Sequence, residues 1–360
     1  MKKVGILTFH RAINYGASLQ AFALMEVIQK ANDLEVFQID LDEPYITDGS
    51  KIINIRKEQL LRSLIGTIIK LPANSVRNYK FHKFWKKFLN FSESYNSEKN
   101  IEHFDYYIVG SDQVWNFDIT QGDLNFLLPL DNVDRSNIKK ISYAASIGKN
   151  TMTSEESKDF KKYLSDFDFI SVRENSAKKL LKKIDIDSQV VLDPTLLLEK
   201  QEWMRALNLS QDRVIKEEFI LVYTLEDNEL IHQILENYQM KTGIKKVVFI
   251  SSSMNIHKIS NTYSPEEFIR IFNEAAFVIT NSFHGTAFAV NFNKKFVTIE
   301  HKTRGARMVD FLKLVDLENR IIADKDHFEK MFNPIEYELV NNLLKKEREK
   351  SLKYLNDSLR

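Results

Sequence analysis

Short apolar runs alternate with helical patterns along almost the whole chain, and no other feature constrains its fold as strongly. Apolar runs of about four to eight residues predict buried strands, whereas apolar residues that recur three and four positions apart predict helices packed on them. Because repeated strand and helix units form parallel sheets covered by helices, the alternation predicts an α/β fold.

The predicted strands fall into two groups, which we interpret as two domains. A chain of 360 residues with 43% hydrophobic content is too long for one ordinary core. We expect residues 1–200 and 201–330 to form two Rossmann-like domains that face each other across a cleft, followed by a C-terminal helix within 331–360. The strands are Val4–Leu7, Val36–Ile39, Tyr106–Val109, Ile141–Ala144, Phe169–Val172 and Val190–Leu192 in the first group, and Phe219–Tyr223, Lys246–Ile250, Phe277–Thr280 and Phe296–Ile299 in the second.

Three helices are predicted with defined limits: Ser18–Lys30, Pro265–Glu274, and a charged helix from Asn333-Pro334 to about Asn356. The second has a capping box, since Ser264 precedes its first-turn proline and a glutamate follows three residues after the serine. In open parallel sheets ligands bind beyond the carboxyl ends of the strands. We therefore expect functional residues in the loops that follow strands.

Composition excludes several classes of function. A formal net charge of +1 argues against a general nucleic-acid-binding protein. The absence of cysteine excludes disulfides, zinc–thiolate sites, iron–sulfur clusters and thiol nucleophiles, and it suits a reducing cytoplasm. The eight histidines show no metal-ligand spacing, and no signal-peptide core or apolar run near the ~20 residues of a spanning helix occurs. We expect a cytoplasmic protein without a metal.

The loop after Phe277–Thr280 places a histidine at the start of a helix. Asn281, Ser282, Phe283, His284 and Gly285 follow the strand directly, and small residues then begin the helix. The N–H groups and the helix dipole at such a terminus favour an anion, and a histidine supplies a proton-transfer group beside it. This loop predicts an anionic substrate with acid/base chemistry.

The loop after the third predicted strand has the composition of a sugar-binding site. Carboxylate and amide side chains can pair with vicinal hydroxyls, and an indole face can stack on a pyranose ring. The alternative is that the tryptophan lies in the core and the aspartate caps a helix. The loop includes Asp112, Gln113, Trp115 and Asn116.

The loop after the first predicted strand carries His10 and Asn14 just before Gly16 and a helix. It lacks the G-x-G-x-x-G spacing of a dinucleotide site. It can form a polar wall of the cleft, or it can be an ordinary polar loop with a satisfied histidine.

Three arginines lie where a ligand is expected. Arg173 directly follows the strand Phe169–Val172, and Arg304 and Arg307 come shortly after Phe296–Ile299. A guanidinium at a strand end can bind a carboxylate or phosphate through two hydrogen bonds. The alternative for Arg173 is an ion pair with Glu174 or another acid.

A basic segment interrupts the first domain. Residues 51–90 contain ten basic residues against one acid, so the segment carries +9 and the rest of the chain −8. Two apolar helical stripes run through it, and basic amphipathic helices of this kind can lie on an anionic membrane. The alternative is that the stripes pack on the domain and the lysines are solvated. The stripes are Leu60, Leu61, Leu64, Ile65, Ile68 and Ile69, and then Phe81, Phe84, Trp85 and Phe88.

Six motifs in a fixed order resemble the polysaccharide pyruvyltransferase family over about Val4 to Leu314. They are Asn14-Tyr15-Gly16-Ala17, Val109-Gly110-Ser111-Asp112-Gln113-Val114-Trp115-Asn116, Ser142-Tyr143-Ala144-Ala145-Ser146, Ser171-Val172-Arg173-Glu174, Leu192-Asp193-Pro194-Thr195 and Asn281-Ser282-Phe283-His284-Gly285.

The resemblance implies a fold like that of GT-B glycosyltransferases and a reaction in which phosphoenolpyruvate gives a pyruvyl group to two hydroxyls of a sugar. The product is a cyclic ketal, phosphate is released, and no cofactor is needed. A lipid-linked acceptor would account for the basic segment, with the protein peripheral to the inner face of the membrane. The alternatives are a nucleotide-sugar glycosyltransferase and a non-catalytic protein that binds an anionic sugar.

The resemblance also implies roles for individual residues. His284 is the expected catalytic residue, and Arg173 is expected to bind the donor. Some members carry an arginine two positions before this histidine, where this chain has Ser282, so we assign Arg307 and Arg304 to the donor as well. The other expected donor-binding residues are Asn281, Ser282 and Gly285, and the expected acceptor-binding residues are Asp112, Gln113, Trp115, Asn116, His10 and Asn14.

Overall fold

Two parallel sheets form the frame of the molecule. The computed structural model describes residues 1–31, 33–41, 75–95, 102–129, 137–210, 213–226, 228–251, 262–299 and 305–360. The first sheet has seven strands in the order β3-β2-β1-β4-β5-β6-β7, and the second has four in the order β11-β10-β8-β9. Neighbouring strands are parallel throughout. The predicted α/β fold with two Rossmann-like sheets is confirmed.

The strands of the first sheet come from the first half of the chain and those of the second from residues 219–298. The first sheet comprises β1 Lys2–Leu7, β2 Leu34–Leu41, β3 Phe91–Tyr95, β4 Tyr106–Val109, β5 Lys139–Ala145, β6 Phe169–Val172 and β7 Gln189–Val190. The second comprises β8 Phe219–Thr224, β9 Lys246–Ser251, β10 Phe277–Thr280 and β11 Phe296–Thr298.

Helices cover both sheets. They are α1 Tyr15–Ala31, α2 over residues 75–88, α3 Phe117–Thr120, α4 Ser154–Leu164, α5 Asn175–Lys182, α6 Lys200–Ala206, α7 Glu229–Thr242, α8 Pro265–Glu274, α9 Phe283–Asn291, α10 Ala306–Leu314 and α11 Tyr337–Ser358. Short 3-10 turns lie at Leu124–Leu127, Pro194–Leu196, Glu318–Arg320 and Lys325–Phe332. The predicted capping box at α8 is confirmed, because Ser264 and Glu267 each bond the other's backbone N–H.

Two differences from the predicted pattern concern β3 and α1. Strand β3 is not predicted, because Ser92, Glu93 and Ser94 give it too little apolar character. These polar residues are tolerated since, among the described strands, β3 lies at the edge of the sheet and pairs with β2 alone. Helix α1 begins at Tyr15, three residues before its predicted start, so Gly16 lies in its first turn.

Helix α2 shows what the second apolar stripe of the basic segment contacts. The ring of Phe84 lies 6.0 Å from that of Phe22 on α1, and the Trp85 indole donates a 2.9 Å hydrogen bond to Ser18 Oγ. This aromatic face therefore packs on α1 and is not available to a membrane, which corrects that prediction for the second stripe. The first stripe, Leu60 to Ile69, lies outside the described residues.

Helix α11 returns from the second sheet to the first. Tyr354 donates a 2.9 Å hydrogen bond to the backbone oxygen of Ser142 in β5, and Ser351 Oγ accepts one from the N–H of Leu192 at 2.9 Å. Arg348 donates to the backbone oxygen of Leu196, between the two sheets. In the part of the chain that the structure describes, no helix combines the length and hydropathy needed to cross a bilayer.

Candidate active site

The carboxyl ends of the two sheets face each other, and a charged cluster lies between them. Asp112 follows β4, Arg173 follows β6, and Asp193 comes shortly after β7. His284 begins α9, just after β10 of the second sheet. Strand order reverses between β1 and β4 and between β8 and β10, and such switch points open the crevice in which doubly wound sheets bind ligands.

Asp193 joins the members of this cluster. Its Oδ2 atom accepts hydrogen bonds from Arg173 Nη1 at 2.7 Å and from Ser111 Oγ at 3.1 Å. Its Oδ1 atom accepts from the N–H and the Oγ1 of Thr195, at 3.0 and 2.7 Å. The Asp193 side chain is fully buried. It is absent from the predicted site residues, although a carboxylate directly after a strand is the same signal that led to Arg173.

The charges of Asp193 and Arg173 stabilise each other. Burial opposes the ionised carboxylate, but His284 and Arg173 outweigh it and hold the pKa of Asp193 well below its usual range. Burial likewise opposes the guanidinium, and Asp193 and Asp112 outweigh it and raise the pKa of Arg173. Both groups are therefore ionised at neutral pH.

His284 is held between the two halves of the molecule. Its Nε2 atom lies 3.7 Å from Asp193 Oδ2, within ion-pair distance but beyond a hydrogen bond. Its ring packs against Gly16 at the start of α1, where a Cβ atom would collide with Nδ1. Nε2 is buried and has no hydrogen-bond partner among the described residues. The ring nitrogen near Asp193, Nε2, is thus available to a ligand.

Asp112 is the second carboxylate of the cluster. Its Oδ1 atom accepts from Arg173 Nη2 at 3.3 Å and from the N–H of Gln113 at 2.8 Å. Burial opposes its charge, but Arg173, His284 and Arg307 outweigh burial and lower its pKa. The same interactions bring Arg307, a mostly buried residue at the start of α10, into the cluster.

Phe283 forms an apolar wall beside Arg173. The centre of its ring lies 4.6 Å from the guanidinium carbon, a distance at which a cation is attracted to an aromatic face. The Nε atom of Arg173 is buried without a hydrogen-bond partner among the described residues. The terminal nitrogens of Arg173 therefore bind the two carboxylates, while its Nε–H donor is left for a ligand. Arg304 lies outside the described residues.

The other predicted donor-binding residues have structural contacts. The side chain of Asn281 bonds the backbone of Leu225 and Glu226 after β8, so it shapes the loop and its amide is already used. Ser282 is the N-cap of α9 and accepts from the N–H of Gly285 at 3.4 Å. Gly285 allows α9 to pack on β10, because a Cβ atom there would collide with a threonine side chain. In this conformation none of the three directs a free polar side-chain group at the cluster.

In the loop after β4, Asp112 is partly exposed and accepts hydrogen bonds at Oδ1. Trp115 is fully buried and its indole donates to the backbone oxygen of Phe126 at 2.9 Å, so the prediction that it stacks on a sugar is wrong. Asn116 is the N-cap of α3. Its amide nitrogen donates to Gln113 Oε1 at 3.1 Å, which ties both amides to each other.

The loop after β1 also turns its polar groups inward. His10 is 1% exposed, with Nδ1 3.1 Å from the backbone oxygen of Thr8 and Nε2 3.2 Å from Asp40 Oδ1. Asn14 Oδ1 accepts from the N–H of Ala17 at the start of α1. His10 is therefore a satisfied buried histidine, which corrects its assignment to the acceptor. Asn14 caps α1 through Oδ1, and its assignment to the acceptor stays a prediction.

A cavity of about 140 Å³ adjoins the cluster at Arg173 and Asp193. Arg173, Asp193 and Phe283 form one wall. Carboxylates of Glu174 and Asp310 also line it, which disfavours an anion there. An anionic ligand is better matched to the His284 and Arg307 side. No group of three or more potential metal ligands occurs among the described residues.

Comparison with known proteins supplies a family and a fold likeness. A family model described as polysaccharide pyruvyl transferase matches residues 14–303. A UDP-GlcNAc 2-epimerase from Neisseria meningitidis bound to UDP-GlcNAc aligns over 100% of this chain and 99% of its own, at 11% identity and a TM-score of 0.46. A UDP-GlcNAc 2-epimerase from Methanocaldococcus jannaschii aligns over 92% and 91%, at 11% identity and a TM-score of 0.48. At these values neither structure decides what this site binds. No curated protein sequence matches the chain.

Proposed function

The chain belongs to the polysaccharide pyruvyl transferase family, and we propose that it transfers the pyruvyl group of phosphoenolpyruvate to two hydroxyls of a sugar. The observation that carries this proposal is that His284 Nε2 and Arg173 Nε are both buried in one cluster and have no hydrogen-bond partner among the described residues. Buried polar atoms are rarely left without partners, so two of them on residues that both contact Asp193 Oδ2 point to a ligand.

The charges of the cluster suit a donor with two anionic groups. Arg173, Arg307 and a protonated His284 outnumber Asp112 and Asp193. Phosphoenolpyruvate brings a carboxylate and a phosphate, which need N–H donors or cations at both ends. The start of α9 adds the positive end of a helix dipole beside His284.

His284 is the proposed acid. Protonation of the donor's methylene carbon by Nε2–H makes the adjacent carbon electrophilic, and a first sugar hydroxyl adds to it. Phosphate then leaves, and the second hydroxyl closes the cyclic ketal. Asp193 supports this role as a buried anion whose Oδ2 atom lies 3.7 Å from Nε2 and orients this side of the ring.

The direct test is phosphate release from phosphoenolpyruvate in the presence of a panel of free and lipid-linked acceptor sugars. We expect release that depends on the acceptor, and a product heavier than the acceptor by one ketal-linked pyruvyl group in mass spectrometry. Titration calorimetry with nucleotide sugars tests the glycosyltransferase alternative. Binding of a nucleotide sugar with no response to phosphoenolpyruvate would overturn the proposal, and binding of the donor without turnover would favour a non-catalytic role.

We also propose that the acceptor is presented at an anionic membrane surface. The outward face of α2 exposes Tyr79, Lys83, Lys86 and Lys87, and each lysine near an anionic surface contributes about 1 kcal/mol. Replacing the three lysines by glutamine should reduce binding to vesicles rich in anionic lipid, measured by co-sedimentation. The same change at three exposed lysines of α11 (Lys345, Lys346 and Lys350) is the control. Equal binding to neutral and anionic vesicles by the intact protein would contradict this idea.

A further inference from the structure

The two carboxylates of the cluster differ in what remains available to a substrate. Asp193 is 0% exposed and both of its oxygens accept hydrogen bonds from protein groups. Asp112 is 16% exposed, and both of its hydrogen bonds end on Oδ1. Its Oδ2 atom accepts no hydrogen bond from any described residue. Of these two carboxylates, Asp112 is therefore the one that offers an oxygen to a ligand.

We propose that Asp112 is the catalytic base that takes the proton of the first attacking sugar hydroxyl. The inference rests on the proposed pyruvyl transfer and assigns a step that His284 cannot perform, because His284 gives its proton in that same step. Asp193 is unsuitable, since its oxygens are saturated and it is closed to the cleft.

The geometry holds Asp112 in place for this task. Its backbone lies in the left-handed region, with φ of 73°, and its side chain bonds the next amide N–H. Arg173 fixes the same oxygen from the other side. With Oδ1 held twice, Oδ2 is directed away from these contacts. Arg173, His284 and Arg307 keep the carboxylate ionised at neutral pH, so it is ready to accept a proton.

A weakly basic carboxylate suffices because the hydroxyl becomes acidic only as its bond to carbon forms. General base catalysis depends on the correct protonation state and on position within hydrogen-bond reach, and it contributes roughly 10²- to 10⁴-fold. The hydroxyl proton is transferred while His284 protonates the methylene group, as the adjacent carbon gains positive character and bonds to the hydroxyl oxygen.

Protons and bonds balance over the cycle without another reactant. His284 gives a proton to the methylene carbon, the first hydroxyl oxygen bonds to the adjacent carbon, and Asp112 takes that hydroxyl's proton. The bond from this carbon to the phosphate oxygen then breaks, and Asp112 returns its proton to the departing phosphate. The second hydroxyl oxygen bonds to the same carbon, and its proton restores His284. The products are the ketal and hydrogen phosphate.

The test compares Asp112→Asn and Asp112→Ala with the unaltered protein. We expect kcat for phosphate release to fall about 10²-fold or more in both, while calorimetric Kd for phosphoenolpyruvate changes less than fivefold. Formate should restore part of the activity of Asp112→Ala, because a small carboxylate can occupy the space of the lost one. Asp118→Asn, which removes an exposed carboxylate of the nearby helix α3, is the matched control and should retain activity.

Several outcomes would overturn the assignment. If Asp112→Asn keeps kcat within threefold, or if its loss lies wholly in donor binding, Asp112 is not the base. A loss that formate does not restore, in variants whose melting temperature equals that of the unaltered protein, also counts against it. Failure of the proposed function is distinguished from all of these, since the unaltered protein would then release no phosphate at all.

Discussion

Two histidines in this molecule have almost the same surroundings, but they differ in whether both ring nitrogens have hydrogen-bond partners. His10 follows β1 and faces Asp40, which binds Arg11 through both carboxylate oxygens. We call these residues the His10 trio. His284 follows β10 and faces Asp193, which binds Arg173. We call these the His284 trio. Both trios are a buried histidine, a carboxylate and an arginine at the carboxyl end of a strand.

The difference lies in where the partners come from. His10 bonds residues of its own loop and the neighbouring strand, so both nitrogens are satisfied when the first sheet forms. His284 belongs to the second sheet and meets Asp193 and Gly16 of the first half across the cleft, and its Nε2 remains unpartnered among the described residues. A histidine at a strand end thus becomes a candidate for catalysis when a nitrogen is left over, and burial or an acidic neighbour alone does not make it one.

The largest expected difference between the two histidines is in their effect on turnover. His284→Gln should lower kcat for phosphate release by about 10²- to 10⁴-fold, because an amide cannot donate a proton to carbon. His10→Gln keeps an N–H donor toward Asp40 but puts no donor in place of Nδ1, and it should retain kcat within about threefold, with a loss of stability instead. Steady-state kinetics and thermal melting of both variants give the measurement. Equal losses of kcat in the two variants would show that an unpartnered ring nitrogen does not distinguish a catalytic histidine from a structural one.

A smaller effect should follow from filling the space behind His284. Gly16→Ala places a methyl group against the imidazole and should shift the ring, lowering kcat by about tenfold to 10²-fold, since displacements near 1 Å cost this much. Gly122→Ala is the control because no heavy atom lies within 4 Å of its new methyl group, although its φ of +76° adds backbone strain. The measurements are kcat and melting temperature. A Gly16→Ala protein with full activity would show that the position of the His284 ring does not matter for the reaction.

The smallest effect concerns stability in acid, where the two trios should behave alike. The pKa of Asp40, like that of Asp193, is held below its usual range, because His10 and Arg11 outweigh burial. A carboxyl group with a lowered folded-state pKa stabilises the protein above its unfolded pKa near ~4, and this contribution is lost as pH falls toward the folded value. Asp40→Asn and Asp193→Asn should therefore each lower the free energy of unfolding at pH 7, by about 2 kcal/mol.

The sign can be checked by urea unfolding between pH 7 and pH 3. The free energy of unfolding of each variant should fall less steeply in this range than that of the unaltered protein, because one titrating group is gone. Only Asp193→Asn should also impair phosphate release. A variant whose curve runs parallel to that of the unaltered protein would mean that its aspartate has the same pKa folded and unfolded.

Most of the fold follows from the sequence because strands in parallel sheets are buried on both faces. Strands Tyr106–Val109, Phe169–Val172 and Phe277–Thr280 coincide with their predicted limits. Apolar runs bounded by polar loops mark such strands without knowledge of their neighbours. The edge strand Phe91–Tyr95 carries no such run, and within the described part of the chain it has a neighbouring strand on one side only. Its existence depends on tertiary contact, which local pattern does not encode.

The site was harder to predict than the fold because polar side chains in loops serve both structure and chemistry. Local sequence marks His10 and His284 equally, and it cannot show that Asp40 has already taken the second nitrogen of His10. Trp115 and Asp112 are three residues apart, yet one is a core residue and the other faces the cleft. Asp193 acquires its importance only when Arg173 and His284 reach it from elsewhere in the chain. Which polar groups remain unpaired is settled by the whole fold.

The return of helix α11 to the first sheet has a consequence for synthesis on the ribosome. Tyr354 bonds Ser142 across 212 positions of sequence. At a translation rate of roughly 5 to 20 residues per second, this contact must wait roughly 10 to 40 seconds after Ser142 is made. During that interval the face of β5 that α11 will cover stays open, and a chaperone could bind it. The nascent chain thus completes the helical cover of its first sheet only after its second sheet has been made.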